Sequence, residues 1–196
     1  MYICDTILNL YTMGQISKDY VLNGVKKGWI TTEQASTILE EEDPVETIRN
    51  IKLKEISDAC SYTIISGIDI EFNKEKVHFN LSIEDQSNIN NLFRVVELGG
   101  TEFPYQSDGG ECRIYTAAEI AQIYIASQTL ITTQTTYHNA LKQYVQSLSS
   151  IEDITAVTYG MELPEPYLTS VNKKLATAKA QMDAIVAKMG ESGLMA

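Results

Sequence analysis

Two histidines and three cysteines are the residues of this chain best suited to metal binding or nucleophilic catalysis. Imidazole and thiolate groups are the usual zinc ligands, and a histidine beside a cysteine can activate a thiol nucleophile. His78, His138, Cys60 and Cys112 do not pair at the spacing of about two to four residues that zinc sites use. His78 lies in a strand-like alternation and His138 on a helical face. We therefore expect structural roles, with no metal and no cofactor.

Three carboxylates, Glu84, Asp85 and Glu111, could in principle serve acid–base catalysis on a glycan. Glycosidases place two carboxylates on either side of the scissile bond. Glu84 and Asp85, however, fall in the first turn of a predicted helix, where negative charge is favourable for capping alone. Glu111 follows the Asp108-Gly109-Gly110 turn. We therefore predict that the chain is not an enzyme, with a cell-wall hydrolase as the enzymatic alternative.

Composition narrows the classes of partner. The chain has 26 acidic and 15 basic residues and a net charge of -11, which disfavours phosphate contacts with nucleic acid. No apolar stretch approaches the roughly 20 residues that span a bilayer, and the start lacks a basic signal region, so we expect synthesis in the cytoplasm without membrane insertion. The three cysteines are odd in number and lie far apart in the sequence, which argues against a disulfide framework. We therefore predict that they are three buried thiols.

Capping signals predict three short helices in residues 1–42. Gly14 and Gly28 are placed to end the first two, Ser17 to cap the second, and Thr31 with Gln34 to open the third through a capping box. Helices of about three turns are marginal alone. We therefore expect this mini-domain to bury apolar side chains around the single tryptophan against a partner, and we predict these partner-binding residues: Tyr11, Val21, Val25, Trp29, Ile30 and Ile38.

The remainder, residues 43–196, is predicted to be a domain of long helices with two β-hairpins. The acidic run 40–43 and Pro44 indicate a boundary and the start of a long helix that Gly67 ends. Residues 67–72 and 76–82 alternate apolar with polar side chains, which predicts a hairpin, and 101–116 indicates a second, irregular one. The fold class is thus α+β and mostly helical.

Residues 117–148 are predicted to form one long helix, which Thr116 and Glu119 cap. Along this helix, a row of residues repeats at heptad-like spacing, and we call this row the seam. Its threonine-rich middle makes a kink or break there an open alternative. The seam fits either a homo-oligomer contact or a buried intramolecular helix, and its positions are Ile120, Tyr124, Ile131, Gln134, His138, Leu141, Val145 and Leu148. A last helix is predicted after Pro164-Glu165-Pro166.

Two stretches resemble known families. "LYTMGQISKDYVLNGVKKGWITTEQASTIL" (10–39) resembles the XkdX-like small proteins of phage tail modules. Motifs ordered from 55 to 172, including "VHFNLSIEDQSNINNL", "FPYQSDGGECRIYTAAEI", "TTYHNALKQYVQSL" and "VTYGMELPEPYLTSV", resemble an uncharacterised domain encoded among the tail genes of phages of Firmicutes. A histidine is frequent in that family where this chain has Gln106.

The resemblance implies a structural component of a bacteriophage tail, a tail-like bacteriocin or a prophage particle, near the baseplate or tail fibres. It implies an adaptor located in the virion, with other tail, baseplate or fibre proteins as partners. Such assemblies are symmetric, so a homo-oligomer is expected. The alternative is a tail-fibre assembly chaperone that does not remain in the particle.

Overall fold

The computed structural model describes residues 3–39 and 44–191, and the predicted α+β, mostly helical fold is confirmed in them. The chain divides into two compact units. The N-terminal unit contains Met1–Ile56 and Lys142–Met161, and the hairpin unit contains Ser57–Leu141 and Glu162–Ala196. The helices are α1 (Ile3–Thr12), α2 (Lys18–Lys26), α3 (Thr32–Leu39), α4 (Pro44–Ile65), α5 (Ile83–Glu97), α6 (Ala117–Ser147), α7 (Ile151–Ala156) and α8 (Tyr167–Glu191).

Three short helices open the N-terminal unit, and their ends follow the predicted capping chemistry. Gly28 has a φ of +70°, and the Trp29 amide donates to the Gly24 carbonyl at 2.9 Å, which completes a Schellman motif after α2. The capping box that opens α3 is formed in both directions, at 2.8 and 3.2 Å between Thr31 and Gln34. The core of the three helices consists of Ile7, Val21, Ile30, Ala35 and Ile38.

The compact unit that contains the three helices also extends beyond residue 42. The Arg49 guanidinium of α4 donates to the carbonyl oxygens of Val145 at 2.9 Å and Leu148 at 2.7 Å, at the end of α6. The buried Lys52 ammonium donates to the Val157 carbonyl at 2.8 Å. These bonds join residues about a hundred positions apart in sequence. Independence of 1–42 stays a prediction, and the acidic run 40–43 lies outside the described residues.

The first hairpin of the second unit pairs β1 (Ile68–Phe72) with β2 (Glu75–Phe79) in antiparallel register, Ile68 opposite Phe79. Its turn residues Asn73 and Lys74 both have positive φ, 51° and 72°, as a two-residue hairpin turn requires. A second antiparallel pair joins β3 (Glu102–Tyr105) to β4 (Arg113–Thr116). Both predicted hairpins are therefore present.

Aromatic side chains from the two hairpins form the centre of the hairpin unit's core. The rings of Phe72, Phe79 and Tyr115 lie edge to face at centroid distances of 5.9 to 6.4 Å. Apolar residues of α5 and α6, including Phe93 and Ile120, complete the same cluster. This core fixes one face of α5 and the loop after β3, which together line the groove described below.

Helix α6 is continuous across its threonine-rich middle, so the alternative of a break is not realised. Thr129 and Thr135 each donate a hydroxyl hydrogen bond to the carbonyl four residues earlier, at 2.7 Å. Their hydroxyls are thereby satisfied within the helix. These hydroxyl hydrogen bonds and the burial of neighbouring apolar side chains offset the low helix propensity of threonine.

Candidate functional site

The predicted partner-binding residues divide by exposure. Val21, Ile30 and Ile38 are 0, 4 and 3% exposed, so they stabilise the unit's own core. Tyr11 and Val25 are half-buried at the edge of that core. Trp29, by contrast, is 41% exposed. The short helices thus bury three of the six predicted residues in their own core, and Trp29 is the one of the six that is exposed.

Trp29 belongs to a surface feature that we call the aromatic corner, formed by Tyr20, Lys27 and Trp29. The two rings have centroids 6.2 Å apart and are tilted by 50°. The Lys27 ammonium lies 4.6 Å from the Trp29 ring centroid, in cation–π contact. The Schellman motif places Trp29 immediately after α2, so a fixed backbone presents the ring.

The seam residues lie in several environments. Ile120, Leu141 and Val145 are at most 1% exposed and are core residues of the single chain. The Tyr124 ring stacks on Phe93 at a centroid distance of 3.9 Å. Ile131, Gln134, His138 and Leu148 are half-buried. The intramolecular alternative therefore accounts for the buried positions, while self-association through the half-buried ones stays a prediction.

The cysteines depart from the expected three buried thiols. Cys60 is buried and lies 3.6 Å from the Gln134 carbonyl oxygen, but Cys4 is half-buried and Cys112 is exposed. Cys112 lies in the irregular connection just before β4, and its side chain does not pack into the core. Within residues 3–39 and 44–191, no three His, Cys, Asp or Glu side chains cluster so that they could hold a metal ion.

His78 bridges two oxygen acceptors on the first hairpin. Its Nδ1 lies 2.8 Å from Asp69 Oδ1, and its Nε2 lies 3.3 Å from Asn80 Oδ1. The hydrogen bond to Asp69 raises the pKa of His78, burial opposes that shift, and Asn80 and the charge of Asp108 reinforce it. An imidazolium donates from both nitrogens, which matches two facing oxygens. A protonated His78 can therefore donate to Asp69 and to Asn80 at the same time.

The hairpin unit carries a surface groove that the sequence does not predict. It consists of two adjoining cavities of about 470 and 340 Å³ that share Asn88 and Tyr105, and we call it the amide groove. Its lining includes Asn80, Asp85, Asn91, Gln106, Ser107 and Asp108. The asparagines of "SNINN" and the "QSDGG" loop were visible as polar clusters, but only the packing of α5 against the hairpins brings them to one surface.

Comparisons with family models, curated protein sequences and solved structures find no match to this chain. No helix among the described residues is long and apolar enough to cross a bilayer.

Proposed function

We propose that this chain is a structural component of a bacteriophage tail or tail-like particle, acting as an adaptor between tail proteins near the baseplate or fibres. The observation that carries the proposal is the aromatic corner. Tyr20 and Trp29 are 44 and 41% exposed on a unit whose own helices are already packed. Tryptophan and tyrosine are the residues most often responsible for binding energy at protein interfaces.

The corner also has the rigidity that an adaptor surface needs. Two Schellman hydrogen bonds fix the turn, from Gly28 to Val25 and from Trp29 to Gly24, both at 2.9 Å. Ile30 follows directly and is anchored in the core. Binding through a preorganised ring costs less conformational entropy than binding through a mobile loop. The segment that resembles the XkdX-like proteins, residues 10–39, contains this whole turn.

Replacing Trp29 by alanine tests the adaptor role. Because the ring is partly solvated, we expect a loss of unfolding free energy of only about 1–2 kcal/mol. If the ring contacts a tail protein, incorporation of the W29A chain into particles falls at least tenfold. The measurement is quantitative mass spectrometry of particles assembled with the variant as the sole copy.

Tyr62→Ala is the matched control, because Tyr62 is an aromatic residue that is 75% exposed and lies outside the corner. We expect Y62A chains to be incorporated like the parent. Equal incorporation of W29A and the parent would remove the aromatic corner from the proposal. Self-association through α6 is tested separately by light scattering on the purified chain, where a monomer at high concentration would contradict it.

A further inference from the structure

We propose that the amide groove binds an uncharged oligosaccharide, with the Tyr105 ring as its apolar wall and the side-chain amides of Asn80, Asn88 and Gln106 as its hydrogen-bonding groups. This inference does not depend on the tail assignment. The two cavities of about 470 and 340 Å³ each fall in the size range of small-ligand pockets, roughly 300–1,000 Å³. Because they share Asn88 and Tyr105, one ligand could contact both cavities through these two residues.

The lining chemistry selects hydroxyl groups. A side-chain amide offers two donors and an acceptor, and a sugar hydroxyl is both a donor and an acceptor, so one amide can bond to two neighbouring hydroxyls. Asn88 and Asn91 come from α5, Asn80 from the segment after β2, and Gln106 from the loop after β3. Three separate segments thus contribute amide-bearing residues to the lining of one groove.

Apolar surface accompanies the amides. Tyr105 is half-buried, and its ring lies nearly parallel to Phe79 at 3° and inclined to Tyr115 at 67°, with centroids 6.2 and 6.3 Å away. Leu92 and Val95 extend this surface along the smaller cavity. Sugar rings carry C–H faces as well as hydroxyl edges, and an aromatic wall flanked by amides matches both.

The acidic residues of the groove disfavour an anionic ligand. Asp85 and Asp108 line the larger cavity, and the whole chain carries a net charge of -11. Ser82 engages Asp85 through its amide and hydroxyl, both bonded to Oδ2 at 3.2 and 2.7 Å. A phosphate or uronate would be repelled by these carboxylates, whereas neutral hydroxyls can donate to them.

The groove is held in place by hydrogen bonds that do not involve a ligand. The Asp108 amide donates to the His78 carbonyl at 2.9 Å, which ties the loop after β3 to the first hairpin. Gly110 donates to the Ser107 carbonyl at 3.1 Å, and a Cβ at Gly110 would come within 2.2 Å of the Ser107 hydroxyl. Such preorganisation lowers the entropic cost of binding.

The test uses the full chain and three trisaccharide probes: chitotriose, maltotriose and trigalacturonate. We expect protein-observed NMR titration to show at least one neutral trisaccharide binding at millimolar concentration or tighter, with shifts confined to residues of the amide groove. Asn88→Ala should weaken that binding at least fivefold, because Asn88 lines both cavities. Tyr105→Phe keeps the packed ring, so we expect its affinity to stay close to that of the parent.

Ser87→Ala is the matched control, since Ser87 is an exposed α5 residue outside both cavities. We expect its affinity to equal that of the parent. Absence of binding by both neutral probes, equal binding of trigalacturonate, or equal affinities of N88A and S87A would each overturn the proposal. Unchanged backbone spectra outside the groove show that the variants remain folded.

Discussion

At the scale of single residues, His78 has a raised pKa and lies between two oxygen acceptors. Its two ring nitrogens face the Asp69 carboxylate and the Asn80 amide oxygen. Lys76 also bonds to Asp69, at 2.8 Å. Hydrogen bonds from Lys76 and then His78 lower the pKa of Asp69, while Asp69 raises the pKa of His78. The pair is therefore most stable with both groups charged.

The pH dependence of this pair is predictable in sign. The stability that His78 contributes is fully present below about pH 6.5, the pKa of an unfolded histidine, and is lost as the pH rises through the higher folded pKa. The contribution of Asp69 is present above about pH 3.9 and is lost as the pH falls through its lowered folded pKa. Both contributions are therefore present together between about pH 4 and 6.5.

Urea unfolding of the parent and of His78→Gln across this range measures the effect. The difference in unfolding free energy should be largest near about pH 5–6 and should shrink as the pH rises. NMR titration gives the pKa directly, with the two histidines distinguished by H78Q. A folded-state pKa of His78 at or below that of an unfolded histidine would contradict the account.

At the scale of elements, the helix caps and the hairpin turn follow from local sequence. Thr31 with Gln34 and Thr116 with Glu119 form the predicted capping contacts, and Ser82 with Asp85 forms a capping box at the start of α5. Such contacts join residues three apart, so sequence spacing alone identifies them. The Asn73-Lys74 turn is equally local. The fold class was predictable for the same reason.

Contacts between distant elements were not predictable. Arg49 and Lys52 lie on one predicted helix, but the sequence does not show which carbonyl groups they bond to. Their acceptors, Val145 and Val157, are about a hundred residues away in the chain. Heptad spacing could not decide whether Leu141 and Val145 face their own chain or another. The amide groove was missed for a related reason: its residues meet only after α5 packs against both hairpins.

Arg49 provides the test at this scale. Its guanidinium bonds to the carbonyl oxygens of Val145, in the last turn of α6, and Leu148, just after the helix, and its side chain is only 15% exposed. Arg49→Met keeps the aliphatic stem and removes the charge. We expect a loss of about 2–3 kcal/mol of unfolding free energy by urea denaturation.

Arg94→Met is the control, because Arg94 is exposed on α5. We expect its effect to stay within about 0.5 kcal/mol, as for most surface substitutions. If R49M were no more destabilising than R94M, the carbonyl-binding role of Arg49 in the N-terminal unit would be wrong.

At the scale of the whole molecule, the two units carry different candidate surfaces. The N-terminal unit presents the aromatic corner, which is suited to a protein partner, and the hairpin unit presents the amide groove, which is suited to a neutral polyhydroxylated ligand. The net charge of -11 disfavours nucleic acid at either surface. The two proposed surfaces lie on different units, so substitutions at one can be tested separately from substitutions at the other.

The copy number of this chain in purified particles is the most direct test of the adaptor role. Quantitative mass spectrometry, calibrated against a known tail protein of the same particle, measures it in particles washed free of lysate. We predict a fixed stoichiometry that matches the rotational symmetry of the tail. Absence of the chain from purified particles, despite its presence in the lysate during assembly, would contradict the structural role and would instead favour an assembly chaperone.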